Sequence, residues 1–190
     1  YMHNIDDKLA QLINLIKFSS ATKSDEYNEQ GFILYRMEDY EKAKQQFTKS
    51  LDENPLNVHA HINLAFVGIK QDNLNASIAS FERALQILET DYSYSSELNQ
   101  EQLLKTKLFV KMNLADLLFK IDQVPQSQAY YSFVSSNSND EVESATALYN
   151  SARCMYHIGL YQEVEAVFRQ MIHDRMISML AIAVAVSYTH

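Results

Sequence analysis

The chain has 190 residues, 47% of them hydrophobic, with only three glycines and two prolines. So few turn-forming residues indicate an all-helical chain and argue against β-sandwiches and barrels. The formal net charge of −8 opposes nonspecific contact with phosphate backbones, so we expect no nucleic-acid partner. A single cysteine, Cys154, leaves no internal disulfide, and no charged-then-apolar secretory segment opens the sequence. The expected location is therefore cytoplasmic.

The first predicted element covers residues 4–18, with the sequence NIDDKLAQLINLIKF. Its apolar residues recur at helical spacing on one face. Asp6 and Asp7 stand near the helix start, where negative charge suits the positive end of the helix dipole. We expect an amphipathic capping helix that covers the elements after it. The alternative is a dimer contact or a clasp for another chain.

Residues 39–57, DYEKAKQQFTKSLDENPLN, carry the next clear helical pattern. Apolar or small residues return at spacings of three and four, which places them on one helix face; they are Tyr40, Ala43, Phe47 and Leu51. Pro55 predicts that this helix ends near Glu53. The pattern then recurs in DNLNASIASFERALQILETD, where Leu74 and Phe81 stand thirty-four residues after Tyr40 and Phe47.

This period resembles the tetratricopeptide repeat (TPR), a helix–turn–helix unit of about 34 residues with small, aromatic and proline positions at fixed offsets. Residues 24–57 match nearly all of these positions, at Tyr27, Gly31, Leu34, Tyr40, Ala43, Phe47 and Pro55. More degenerate copies occupy 58–91, 108–141 and 145–178, with Ser77 and Ser127 where alanine is usual. Residues 92–107 are an insertion, which we interpret as a loop followed by an extension of the next helix.

The resemblance implies an all-α fold, a right-handed TPR superhelix in which antiparallel helix pairs stack as an α-solenoid. Each pair needs neighbours to cover its apolar face, so we expect the four repeats to share one core. Residues 1–190 are accordingly predicted to form a single TPR domain, with an N-terminal capping helix and an apolar C-terminal helix.

The C-terminal segment, residues 176–187, is apolar at nearly every position from Met176 to Val186. Such a run is too short to cross a bilayer, which needs about 20 residues, so we expect no membrane span. Three interpretations stay open: the opening of a fifth repeat, a segment buried against another molecule, and a tail of non-native origin. We expect this segment to find a partner surface, including the groove of a second copy.

The sequence lacks the patterns that catalysis and cofactor binding require. Gly31, Gly68 and Gly159 are isolated, so no phosphate-binding loop is formed. His59 and His61 are two residues apart and point to different sides of a helix, which disfavours a shared metal ion. Cys154 has Arg153 and His157 nearby, but this spacing is ordinary in a repeat helix, and we interpret Cys154 as a packing residue. We expect no enzyme activity, no metal and no cofactor.

The resemblance also implies where a ligand binds. In TPR proteins the first helix of each repeat lines a concave groove, and positions 2, 5, 6, 9, 12 and 13 tend to face it. Position 6 is Glu29 in repeat one and Asn63, Asn113 and Asn150 in the others. A column of asparagine amides, which both donate and accept hydrogen bonds, can hold the backbone of an extended peptide.

Two more sets of groove residues follow from the same positions. Position 13 gives a basic column that could attract an acidic segment, formed by Arg36, Lys70, Lys120 and His157. Anchoring surface comes from Phe32, Tyr35, Ile62, Phe66, Met112, Phe119, Tyr149 and Tyr156. The clamp that grips chaperone carboxylates in this family is not expected, since only Asn63 of its side chains is present.

Three functions stay open. The first is a protein–protein interaction scaffold that holds a peptide segment of another protein in the concave groove. The second is a structural subunit that forms a homo-oligomer or docks into a larger complex through its apolar terminal helices. The third is a module that recruits substrate for a catalytic domain elsewhere in a longer chain. Architecture alone does not choose among them, because one scaffold serves many processes.

Overall fold

The computed structural model describes residues 2–90 and 99–187, and the side chains of residues 19–90 and 99–175. These residues form α-helices and no strand, which confirms the predicted all-α fold. The helices are α1 Met2–Arg36, α2 Tyr40–Glu53, α3 Val58–Lys70, α4 Leu74–Thr90, α5 Gln100–Lys120, α6 Val124–Asn137, α7 Glu141–His157 and α8 Tyr161–Ser187.

The chain divides into two compact units, Tyr1–Leu103 and Leu104–His190, called unit 1 and unit 2 below. Unit 1 pairs α1 with α2 and α3 with α4, and α2 also packs on α3. In unit 2, most of α5 packs with α6 and α7, α6 packs with α7, and α7 packs with α8. A single domain over residues 1–190 stays a prediction.

The two ends differ in detail from the predicted helices. Helix α1 runs without a break from residue 2 to Arg36, so the predicted capping helix and the first helix of repeat one are continuous. No glycine or proline occurs between residues 4 and 30 to interrupt it. Helix α8 likewise continues to Ser187. The side chains of residues 4–18 and 176–187 lie outside the described residues. Residues 92–98 of the insertion also lie outside them, and α5 begins within its remainder, at Gln100.

The same turn joins the two helices of each predicted repeat. Its middle residue adopts the left-handed backbone conformation, with φ of 63° at Glu38, 55° at Asp72, 64° at Asp122 and 84° at Gly159. The next residue donates its backbone N–H to the carbonyl five residues earlier, as in Asn73 N to Gly68 O at 2.8 Å. This is a Schellman motif, which satisfies carbonyls at the helix end. Its recurrence gives all four predicted repeats the same local geometry.

The core of unit 1 is centred on the fully buried Phe47, which packs with Ala43 and Val67. Gly31 allows α1 and α2 to approach there, because a Cβ at this position would lie 2.6 Å from two carbons of the Phe47 ring. Two clusters of buried side chains form the core of unit 2; they are Ala115, Val124, Tyr131 and Cys154, and Leu108, Val134 and Ala147.

Candidate functional site

A shallow cleft lies between α1 and α3, the first helices of repeats one and two. Its volume is about 480 Å³, and it is lined by Asn28, Glu29, Phe32, Ile33, His59 and Asn63. The predicted site residues Phe32 and Asn63 therefore meet at one surface. Phe32 is 48% exposed and Ile33 is 59% exposed, so the cleft offers apolar surface to solvent.

Two asparagines bridge the helices across this cleft. Asn63 donates from its Nδ2 to Asn28 Oδ1 at 2.9 Å. The other two amide atoms of this pair are Asn63 Oδ1, which accepts hydrogen bonds, and Asn28 Nδ2, which donates them. Together they offer one donor and one acceptor, which is the complement of a peptide group. The cleft thus combines apolar surface with amides suited to backbone recognition.

Two predicted groove aromatics in unit 1 contribute to packing instead. Tyr35 meets Tyr40 edge-on at 5.5 Å between ring centroids, beside the core around Phe47. Phe66 meets Phe81 edge-on at 5.4 Å. Both side chains are only partly exposed. Within unit 1, Phe32 is the predicted aromatic residue that lines the cleft.

In unit 2, a second group of predicted residues comes together around Phe119. Its ring meets the His157 imidazole edge-on, with centroids 5.8 Å apart. The guanidinium carbon of Arg153 lies 5.0 Å from the centroid of the same ring, within reach of a cation–π contact. Arg153 also donates from Nη1 to Asn150 Oδ1 at 3.1 Å. Arg153 is exposed, so this cluster presents a positive charge held by an aromatic ring and an amide.

The remaining predicted residues lie around these two groups. Asn113 donates to the Phe109 carbonyl of its own helix at 2.8 Å. Tyr149 is 47% exposed and faces Phe168, and Tyr156 is 63% exposed and faces Tyr161. The position-13 residues Arg36, Lys70, Lys120 and His157 are all exposed at the last turns of their helices.

Four residues of these groups were absent from the predicted set: Asn28, Ile33, His59 and Arg153. Three of them occupy groove positions of the repeat, with Asn28 at position 5, His59 at position 2 and Arg153 at position 9. Reading every groove position, and not only the asparagine and basic columns, would have included them. Ile33 lies outside those positions, and no sequence signal marked it.

The strongest candidate nucleophile is not arranged for catalysis. Cys154 is fully buried in the core of unit 2, and burial raises the pKa of its thiol. Its sulfur lies 3.6 Å from the Ser127 hydroxyl, which donates to the Ala115 carbonyl at 2.7 Å. A buried thiol with a raised pKa is little reactive, which agrees with a packing role.

Two other side chains, His61 and Tyr131, have shifted pKa values with a structural cause. Burial lowers the pKa of His61, whose Nε2 lies 2.9 Å from the Pro55 carbonyl oxygen. Burial and a hydrogen bond to Asp116 raise the pKa of Tyr131. No group of three or more histidine, cysteine, aspartate or glutamate side chains within 19–90 and 99–175 is placed to hold a metal ion.

Within residues 2–90 and 99–187, no helix combines the length and the apolar composition that crossing a bilayer requires.

Family comparisons agree with the helical geometry. Two profiles, each described as "Tetratricopeptide repeat", match residues 24–57 and 58–89. A comparison with curated proteins found no match. Repeats of this family generally form non-enzymatic scaffolds that bind other proteins or peptides.

Several solved structures share the fold at low sequence identity. YrrB, titled a TPR protein with an unusual peptide-binding site, aligns with a TM-score of 0.56 and 18% identity over 75% of this chain and 64% of YrrB. The N-terminal domain of stress-induced protein-1 (STI-1) from C. elegans aligns with a TM-score of 0.57 and 14% identity, over 69% of this chain and 96% of that domain.

BtubC from P. vanneervenii aligns with a TM-score of 0.62 and 15% identity, over 82% of this chain and 64% of BtubC. The chain therefore spans slightly less than two thirds of YrrB and of BtubC. At these identities the likeness concerns the fold, which is the TPR solenoid. The two repeat profiles identify residues 24–89 as tetratricopeptide repeats, within a chain whose fold is that of the TPR solenoids.

Proposed function

We propose that this protein is an interaction scaffold that binds peptide segments of another protein on the faces of its first helices, which are α1 and α3 in unit 1 and α5 and α7 in unit 2. The observation that carries this proposal is the unit 1 cleft, where Phe32 and Ile33 expose apolar surface beside the Asn63–Asn28 amide pair. An extended peptide needs apolar anchoring surface together with backbone donors and acceptors. The unusual peptide-binding site of YrrB supports the same use of the fold.

The Arg153 cluster of unit 2 supports the proposal independently. Arg153 is held by Phe119 and Asn150, so its exposed guanidinium is partly ordered before any ligand arrives. Guanidinium groups bind carboxylates through two parallel hydrogen bonds. Together with Lys120 and His157, this cluster favours an acidic residue of the bound segment.

The test is a selection of peptides from a random display library, followed by affinity measurements on variants of the whole chain. We expect Asn63→Ala and Asn150→Ala each to lower the affinity for the selected peptides about three- to tenfold, which corresponds to the loss of one hydrogen bond. Asn113→Ala is expected to have a similar effect if its amide leaves the Phe109 carbonyl to contact the peptide. All variants are first checked for unchanged helicity.

Matched controls exist on the second helices. Asn137 on α6 donates to the Phe133 carbonyl at 2.8 Å, just as Asn113 donates to Phe109. Asn75 is an exposed asparagine on α4. Asn137→Ala and Asn75→Ala should bind like the unaltered chain. Equal losses in the control and groove variants would refute the proposed surface.

One observation favours the second function, assembly through the end of the chain. Repeat four exposes several large apolar side chains: Tyr156, Ile158, Leu160, Tyr161, Phe168 and Ile172. Contiguous exposed apolar surface marks contact sites. A chain that sediments as a concentration-dependent oligomer, and loses this behaviour on Tyr161→Ser and Ile172→Ser substitution, would favour assembly over peptide binding.

A further inference from the structure

The unit 1 cleft has an uneven charge distribution along its length. Among its six lining residues, Glu29 alone carries a permanent charge. It is exposed, and it takes no part in an ion pair with any residue whose side chain is described. Asp25 precedes it by one helical turn and is also exposed. Repeat one thus places a carboxylate, Glu29, at position 6, where repeats two to four carry asparagine.

The opposite end of the same surface is basic. Arg36 follows Glu29 by seven residues, which is two helical turns, so both lie on one face of α1 about 10 Å apart along the axis. Lys70 follows Asn63 by the same interval on α3. Arg36 and Lys70 are both exposed. The surface formed by α1 and α3 is therefore acidic at one end and basic at the other.

These positions match the dimensions of an extended chain. A polyproline II segment rises about 3.1 Å per residue with three residues per turn, so side chains three residues apart lie on the same side, about 9 Å apart. Between the charged ends, Phe32 and Ile33 offer apolar surface and the Asn63–Asn28 pair offers backbone hydrogen bonds. Opposite charges on a ligand would be attracted to the two ends and would fix its direction.

We propose that the unit 1 cleft selects an extended protein segment that carries a lysine or arginine beside Glu29, an apolar side chain against Phe32, and an aspartate or glutamate about three residues away beside Arg36 and Lys70. This inference rests on the proposed function and goes beyond it, because it names the charge pattern of the segment. The two charges also set the direction in which the segment runs.

The test uses four fluorescent peptides that are acetylated and amidated and share one length. Their central residues are Lys-Leu-Ala-Glu, Glu-Leu-Ala-Lys, Gln-Leu-Ala-Gln and Glu-Leu-Ala-Glu. Anisotropy titrations of the whole chain should show that one order of the mixed-charge pair binds about fivefold or more tightly than the neutral and acidic peptides. Exposed ion pairs give modest gains of this size, and raised salt should reduce the difference.

Charge reversal at the cleft provides the decisive variant. Glu29→Lys should make the acidic peptide the best ligand, because the surface formed by α1 and α3 then carries basic side chains at both ends. Glu82→Lys changes the net charge equally at an exposed site on α4, and it should leave the ranking unchanged. The same new ranking in both variants would show a general charge effect and overturn the inference.

The outcomes separate this inference from the proposed function. If the four peptides bind equally well and Asn63→Ala weakens all of them, the cleft binds peptides and only the charge pattern is wrong. If no peptide binds, or if Asn63→Ala and Phe32→Ala change nothing, peptide binding at this cleft is wrong as well. Displacement of the peptides when the protein self-associates would identify a second copy as the occupant and overturn the inference.

Discussion

Replacing Phe47 by alanine is expected to lower the free energy of unfolding by about 3–5 kcal/mol, the usual effect of removing a buried aromatic ring. The Phe47 side chain is fully buried and forms the centre of the unit 1 core. On one side it lies against Gly31, where α1 has no side chain to move into the vacated space. The cavity would therefore collapse poorly, and the loss should fall in the upper part of the range.

The matched control is Phe32→Ala, which removes the same ring from α1 at a side chain that is 48% exposed. Because Phe32 lines the cleft and not the core, the free energy of unfolding of this variant should fall by less than about 1 kcal/mol. Urea denaturation followed by far-ultraviolet circular dichroism measures both. Similar losses for the two variants would contradict the described core.

Asn57→Ala is expected to have the second largest effect, about 2–4 kcal/mol, because Asn57 both caps a helix and closes a buried network. Its Oδ1 accepts from the Ala60 N–H at 3.1 Å at the start of α3. Its Nδ2 donates to the Ser24 hydroxyl at 2.9 Å, and the Ser24 and Ser50 hydroxyl oxygens are 2.9 Å apart. The network joins α1, α2 and α3, and the two serines are fully buried.

Asn73→Ala separates the two contributions. Asn73 accepts from the Ala76 N–H at 3.2 Å at the start of α4, and it is exposed. The buried Ser77 hydroxyl donates to the backbone carbonyl of Asn73, which the substitution retains, so only the side-chain cap is removed. Losing the Asn73 cap should lower the free energy of unfolding by about 1 kcal/mol, the usual contribution of an N-cap. The difference between the two variants, measured by urea denaturation, reports the buried network. Equal losses would mean that the Ser24–Ser50 network contributes nothing beyond the cap.

The helical fold could be predicted because the repeat pattern records helix packing directly. Phe47 and Phe81, thirty-four residues apart in sequence, are both fully buried, and Gly31 does stand where α1 and α2 approach closely. Apolar spacing reports which helix face is covered, and that information is local in sequence. The absence of a glycine or proline near residue 20 could likewise have predicted that α1 continues from the capping segment.

The turns could not be predicted from residue type. Glu38, Asp72 and Asp122 adopt the left-handed conformation that usually favours glycine, and only the fourth turn has Gly159 there. Backbone hydrogen bonds of the Schellman motif close this turn, and the packing of the paired helices, which no short segment contains, stabilises it. Tertiary structure thus overrides the local preference.

Repeat positions predicted only some of the residues that meet in the unit 1 cleft and around Arg153. Phe32 and Asn63 meet in the unit 1 cleft, and Phe119, Asn150 and His157 gather around Arg153. Tyr35 and Phe66 were predicted from the same positions, yet the Tyr35 ring packs edge-on against Tyr40 beside the core and the Phe66 ring against the buried Phe81. A side chain at the border of a helix face can turn either way, and the choice depends on the neighbouring helix. Such contacts are not encoded in spacing along one helix.

The most direct test of the central claim, that the faces of the first helices bind the partner segment, is site-specific photo-crosslinking. Benzoylphenylalanine is placed at residue 32 on α1, or at residue 44 on α2 in place of the exposed Lys44, and each protein is irradiated with a peptide from the display selection. Crosslinking from residue 32 and not from residue 44 is the expected result. Crosslinking from residue 44, with none from residue 32, would contradict the claim and place the ligand on the second helices.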